Sequence, residues 1–152
     1  MIKVKYTLES RDFPVSGFEM GDLEIDVNNL LFSSKAGGSR HLMMIFLSII
    51  ELLNGLNSFL CSKKRSYEFV GVDSSFILLF KKISNSKLLI EQGGNSKVEV
   101  LSKELIEEVL IGSEKFWKDT KQLLNHNDPI IKDMEDAIQG LKKQVVKSEC
   151  LV

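Results

Sequence analysis

Ile2, Val4, Tyr6 and Leu8 alternate with Lys3, Lys5 and Thr7, the period of a strand with one face in a core. Leu23, Ile25 and Val27 alternate with Asp22, Glu24 and Asp26 in the same way. If the two strands pair, the lysines of one share a solvent face with the carboxylates of the other. Each such cross-strand pair contributes about 0.2–1 kcal/mol, enough to help select the pairing but too little to dominate stability. Between them, Arg11 to Gly21 contains Pro14, Gly17 and Gly21 and reads as an irregular connection. Asn28-Asn29 predicts a tight turn into a short strand, Leu30-Leu31-Phe32.

Ser33 to Ser39, with Gly37-Gly38, reads as a loop, and Ser39 as an N-cap. The longest apolar stretch follows, Leu42 to Leu60. Ser48, Glu51, Gly55 and Ser58 recur within it at helical spacing as a narrow polar stripe, which predicts a helix packed over most of its surface. Four strand candidates come next: Tyr67–Val72, Phe76–Ile83, Lys87–Glu91 and Lys97–Leu101. Asp73-Ser74, Ser84-Asn85-Ser86 and Gly93-Gly94-Asn95 separate them, all suited to turns. Phe76 to Phe80 is apolar on both faces, so it belongs in the middle of a sheet, covered from both sides.

Ser102 is expected to cap a helix reaching about Asn125, with an apolar side that includes Leu105, Phe116 and Trp117 and is interrupted at Gly112-Ser113, a pair that marks a close backbone approach. Asp128-Pro129 opens a last helix as N-cap and first residue. Its seam, Ile131, Met134, Ile138, Leu141 and Val145, is expected to pack on the preceding helix through Phe116, Trp117 and Leu124. Acids come early and lysines late in this helix, as the helix dipole favours. Residues 148–152 read as a frayed tail. The expected architecture is one α+β domain over residues 1–152: an antiparallel sheet of about six or seven strands packed with three helices, in the order β-β-(β)-α-β-β-β-β-α-α.

Composition narrows function more than fold. The chain has 152 residues, a formal net charge of −1 and only two prolines. It lacks the basic excess of a dedicated nucleic-acid binder, so no nucleic-acid partner is expected. Residues 61–100 carry seven basic and four acidic side chains and form the one mildly basic third. Two distant cysteines, Cys61 and Cys150, allow one disulfide but make no secreted framework. The alternating start is unlike a signal peptide, so the expected compartment is cytoplasmic. Leu42 to Leu60 is long enough to span a bilayer. Glu51, Asn54 and Asn57 lie inside it, and one central acid costs roughly 2.5–3.5 kcal/mol on insertion scales; no membrane insertion is expected.

Chemistry is sparse. His41, His126, Cys61 and Cys150 lack the short spacings of a metal site, so neither a metal nor a cofactor is expected. Asp73-Ser74-Ser75 would need a base to make a nucleophile, and its residues suit a turn. Gly37-Gly38-Ser39-Arg40 offers a weak anion site at a helix entry. Lys63-Lys64-Arg65 suits a helix C-terminus. No catalytic residue is assigned. Glu19, Asp22, Glu24 and Asp26 form the most concentrated acidic surface that a strand can display, and they are the expected partner-binding residues. Lys3 and Lys5 work against that role by neutralising the same face.

Gly21 to Asn28, the helix from His41 to Phe59, Phe69 to Phe76 and the helix from Glu104 to Leu124 together resemble small immunity-type proteins of low-GC Gram-positive bacteria, partners in polymorphic toxin systems. The resemblance is one of element pattern over most of the chain, and it carries over no functional residue. Together with a full-size domain in which nothing is arranged for chemistry, it leads to the expectation of a non-catalytic inhibitor or immunity-type partner that occludes another protein, such as a basic toxin or effector domain. Two other classes stand beside it. One is an enzyme whose site is assembled from distant residues, in which His41, His126 or carboxylates would converge in a pocket. The other is a structural or assembly subunit using the C-terminal helices, in which those helices would expose an apolar patch. The chain would be a monomer or a homodimer.

Overall fold

In the computed structural model, which describes residues 1–147, the first two alternating segments pair as expected. β1 (Ile2–Leu8) runs antiparallel to β2 (Met20–Val27), with Lys3 opposite Asp26 and Lys5 opposite Glu24. Ile2, Tyr6, Leu23, Ile25 and Val27 are buried on the inner face. Asn28 and Asn29 both take positive φ, 50° and 74°, the backbone that lets a two-residue turn follow the twist of a hairpin. The turn leads to β3 (Leu30–Ser33), which pairs with β2.

The next segment departs from expectation. Lys35–His41 is a 3₁₀ stretch broken at Gly38, whose φ is 66°, and β4 (Met43–Met44) then pairs with Met20 and Gly21 of β2. β3 stops opposite Glu24, leaving the start of β2 with unpaired backbone groups, and these two residues satisfy them. Helix α1 (Ile45–Leu60) therefore begins after Met44, and Ser39 does not cap it. Gly21 makes this crowding feasible: a Cβ there would lie 2.1 Å from the Thr7 carbonyl oxygen.

β5 (Ser66–Val70), β6 (Ile77–Lys82), β7 (Lys87–Gln92) and β8 (Ser96–Leu101) form a second antiparallel sheet in chain order. The fold is α+β with antiparallel strands and broadly the expected order, but its strands divide into two four-stranded sheets instead of one larger sheet. α1 is the reason. It packs on β1, β2 and β4 of one sheet and on β5 of the other, so a single buried cluster joins both inner faces.

The polar stripe of α1 becomes the joint to the second sheet. The Ser48 hydroxyl accepts a hydrogen bond from the Val72 amide at 2.9 Å, and the Tyr67 hydroxyl donates to the Glu51 carbonyl at 3.2 Å. Gly55 leaves room for the Tyr67 ring, since a Cβ there would lie 2.0 Å from its hydroxyl oxygen. Burial, and next the Glu51 charge, push the Tyr67 hydroxyl above its ordinary pKa.

β6 is an interior strand, but the described residues cover only one of its faces. Phe76, Leu78 and Phe80 are fully buried while Ile77 is 44% exposed. The expectation of cover on both sides fails because the helices gather on the side shared with the first sheet.

Ser102 is the first residue of α2 (Ser102–Thr120) and not its cap, because Leu101 ends β8 at the cap position without a side-chain bond, and α2 ends in a 3₁₀ turn, Lys121–Leu123, a few residues short of the expected end. It lies against β1, where Gly112 is the close approach that the sequence marks: its Cβ would fall 2.6 Å from the Val4 carbonyl oxygen. α3 (Ile130–Lys147) starts where Asp128 accepts a hydrogen bond from the Ile130 amide at 3.0 Å. It packs chiefly on α1 and only secondarily on α2, which corrects the expected seam. The cause is α2's commitment to β1, which leaves the flank of α1 free. Among the described residues no helix is long and apolar enough to cross a membrane. The expected frayed tail, 148–152, and Cys150 lie outside the described residues.

Candidate functional site

The outer face of the first sheet is the floor of a groove, and α2 is its wall. Strand alternation turns Lys3, Lys5 and Thr7 of β1 outward beside Asp26, Glu24 and Asp22 of β2. Glu108, Ile111, Lys115 and Asp119, spaced by three, four and four residues, form one stripe of α2. Floor and wall enclose about 760 Å³. Val4, Leu8, Leu31, Ile111 and Phe116 give the groove apolar ground among its charges. Arg11 lines it too and donates to the Asp119 carbonyl oxygen at 3.3 Å.

Tyr6 fixes the wall to the floor. Its hydroxyl lies 3.1 Å from the Ser113 hydroxyl in a buried contact between β1 and α2. Burial pushes the Tyr6 pKa up and the Ser113 hydrogen bond partly offsets that rise. Gly112 beside Ser113 allows the close approach that this bond requires.

The four expected partner-binding acids separate. Glu24 and Asp26 line the groove; Asp22 and Glu19 do not. Glu24 is held by Lys35 at 2.9 Å, and its charge raises the Lys35 pKa, chiefly through their hydrogen bond. Asp26 accepts from the Asn29 amide at 2.9 Å, which shapes the turn. Asp22 accepts from the Ser34 hydroxyl at 2.6 Å. Glu19 precedes β2, and its carbonyl accepts from the Ile45 amide at 3.0 Å at the start of α1. The groove thus carries Lys3, Lys5, Arg11 and Lys115 against Glu24, Asp26, Glu108 and Asp119, a mixed surface in place of an acidic one. Among the described residues Lys3, Lys5 and Lys115 make no ion pair.

Sequence reasoning misses the α2 half of the groove. Its three-four spacing is visible in the chain, but only the packing of α2 on β1 brings it beside Lys3 and Lys5.

The other candidates also find places. Arg40 and the Asp73-Ser74-Ser75 turn meet: the Arg40 carbonyl accepts from the Ser75 amide at 3.1 Å and the Ser75 hydroxyl at 3.0 Å. The Ser74 hydroxyl accepts from the Phe76 amide at 3.0 Å, and Asp73 sits at φ 57°. These are turn-forming bonds. His41 lies edge-on to Phe76, with ring centroids 5.8 Å apart. His126 lines a separate apolar depression with Phe13, Pro14 and Ile131. The two histidines and the acid row therefore do not share a pocket. Among the described residues no group of three or more histidine, cysteine or acidic side chains is placed to hold a metal ion.

Comparison of the chain with protein-family models, with curated proteins and with solved structures finds no match.

Proposed function

We propose that this protein is a non-catalytic protein-binding module, an inhibitor or immunity-type partner that acts by occlusion and receives a partner segment in the groove between β1 and α2. The observation that carries this reading is the unpaired state of Lys3, Lys5 and Lys115 in a groove that also offers carboxylates and apolar ground. Solvated lysines over a rigid sheet gain most from a partner that brings carboxylates to them. Glu24 and Asp26 then receive that partner's basic groups. Complementarity of both signs favours register and specificity over bulk attraction, and a sheet floor holds the charges in place before the partner arrives.

The test is capture from the native cell with wild-type protein, followed by binding measurements on the captured protein. Lys5→Glu with Lys115→Glu is expected to weaken binding by at least about tenfold, with a smaller loss for Glu24→Gln with Asp26→Asn. A Lys143→Glu control on α3, outside the groove, is expected to bind as wild type. Equal affinity for all variants, with the fold intact, would remove the groove as the binding site.

A further inference from the structure

The outer face of the second sheet carries an apolar pattern that no other described residue covers. Val70 and Ile77 are partners in register, as are Leu79 and Glu91, Leu89 and Glu99, and Lys87 and Leu101. Val70, Ile77, Leu79, Leu89 and Leu101 therefore step diagonally across the four strands as one band. Val70 is 40% exposed, Ile77 44% and Leu101 50%. The large exposed apolar residues of α2 and α3 are isolated by comparison, Ile111 on one and Val146 on the other.

The charges divide by flank, with one ion pair, Lys81–Glu91 at 3.8 Å, reaching across the band within a single copy. Glu68 lies beside Leu79, Lys81 beside Leu89 and Lys87 beside Leu101, all on the β5 side of the band. Glu91 lies beside Leu79, Glu99 beside Leu89, and Lys97 beyond Glu91, on the β8 side. One flank has two lysines and a glutamate; the other has two glutamates and a lysine.

We infer that a second copy of this chain stacks on this face, related by a two-fold axis running along the apolar band. Such an axis sets band on band and carries each flank onto the other. Lys81 and Lys87 of each copy then face the flank that holds Glu91 and Glu99 of its mate. A two-fold contact must be self-complementary, and this division of charge is what makes the face so. Four strands at ~4.8 Å and six residues at ~3.3 Å give a footprint of about 20 by 20 Å. That flat area is about 400 Å², half of the roughly 800 Å² that each partner gives to a standard interface, so the expected association is weak. Stacking also gives β6 its second cover, the condition that a strand apolar on both faces calls for.

The experiment is sedimentation over a concentration series reaching high micromolar. Wild type is expected to move from the 17.2 kDa chain to twice that mass. Ile77→Lys is expected to weaken association by at least about tenfold. If that variant melts at a lower temperature than wild type, Val70→Lys reads the same contact. Lys81→Glu with Lys87→Glu, and separately Glu91→Lys with Glu99→Lys, are each expected to be monomeric. Mixing the two in equal amounts is expected to restore a dimer, because one face then carries five acids with Lys97 and the other five lysines with Glu68. Three outcomes overturn the proposal: a wild type that stays monomeric throughout, a dimer indifferent to Ile77→Lys, or two folded charge variants that do not associate when mixed.

Discussion

Both sheets have four antiparallel strands and give an inner face to the same core, but they treat their outer faces differently. In the first, β1 and β2 alternate apolar and polar, lysines stand opposite carboxylates, Leu31 of β3 is an outward exception, and α2 covers the flank of β1. In the second, alternation breaks at Ile77, Leu79 and Leu89, and among the described residues no helix lies over the outer side. The paired β1 and β2 of the first sheet show mostly charge and hide apolar side chains, as suits a face open to water. The second sheet shows water the residues that its neighbours bury. The difference that matters for these faces lies in which outward positions are aliphatic.

The sharpest test of that one-sidedness uses two adjacent leucines of β6. Leu78 is fully buried, and Leu78→Ala is expected to cost about 2–5 kcal/mol. Leu79 points outward, and Leu79→Ala is expected to cost less than about 1 kcal/mol in dilute protein. Urea unfolding of both variants reads the difference; equal losses would mean that the outer face is buried after all.

Two helical glycines probe how the first sheet is closed. Gly112→Ala pushes a Cβ against the Val4 carbonyl oxygen, 2.6 Å away, and is expected to lose about 1–3 kcal/mol as α2 lifts from β1. Gly140→Ala on α3 meets only the Asn57 side chain at 3.5 Å and is expected to gain about 0.5–1 kcal/mol from helix propensity. The same chemical change should thus have opposite signs in a thermal melt, and a gain at Gly112 would show that the wall is not tightly seated.

The smallest effect lies in the polar pairing of the first sheet. The Lys35–Glu24 contact at 2.9 Å joins partly exposed groups, so Glu24→Gln is expected to cost only a few tenths of a kcal/mol. The folded-state pKa of Lys35 lies above its unfolded value. The contribution is therefore fully present below the unfolded lysine pKa and disappears as pH rises through the folded one. Added salt should shrink it as well. Melts of wild type and variant at neutral and strongly alkaline pH check both statements.

Much of the fold can be read where the signal is local. The β1–β2 pairing follows from alternation, the Asn28-Asn29 turn from residues that tolerate positive φ, and the α2 contact from Gly112-Ser113. What escapes reading depends on partners distant in the chain. Met43 and Met44 look like the start of an apolar helix and become strand only because β3 stops short along β2. No local pattern says that α1 separates two groups of strands. The candidate site divides likewise. Lys3, Lys5, Glu24 and Asp26 are visible as an outward row, but their opposing wall on α2 is set by the packing of Gly112 on Val4. Asp22 and Glu19 look like members of the row, yet tertiary structure gives them to Ser34 and to the start of α1.

The joint along α1 has a kinetic meaning. Ser48, Glu51 and Gly55 fasten the helix to β5 while its other sides pack on β1, β2 and α3. Neither sheet can open without stripping cover from the helix that the other needs. Local openings large enough to expose interior strands should merge into a single event. Amides deep in β2 and β6 share no strand partner, and would nevertheless exchange with solvent at one common free energy, as a single foldon.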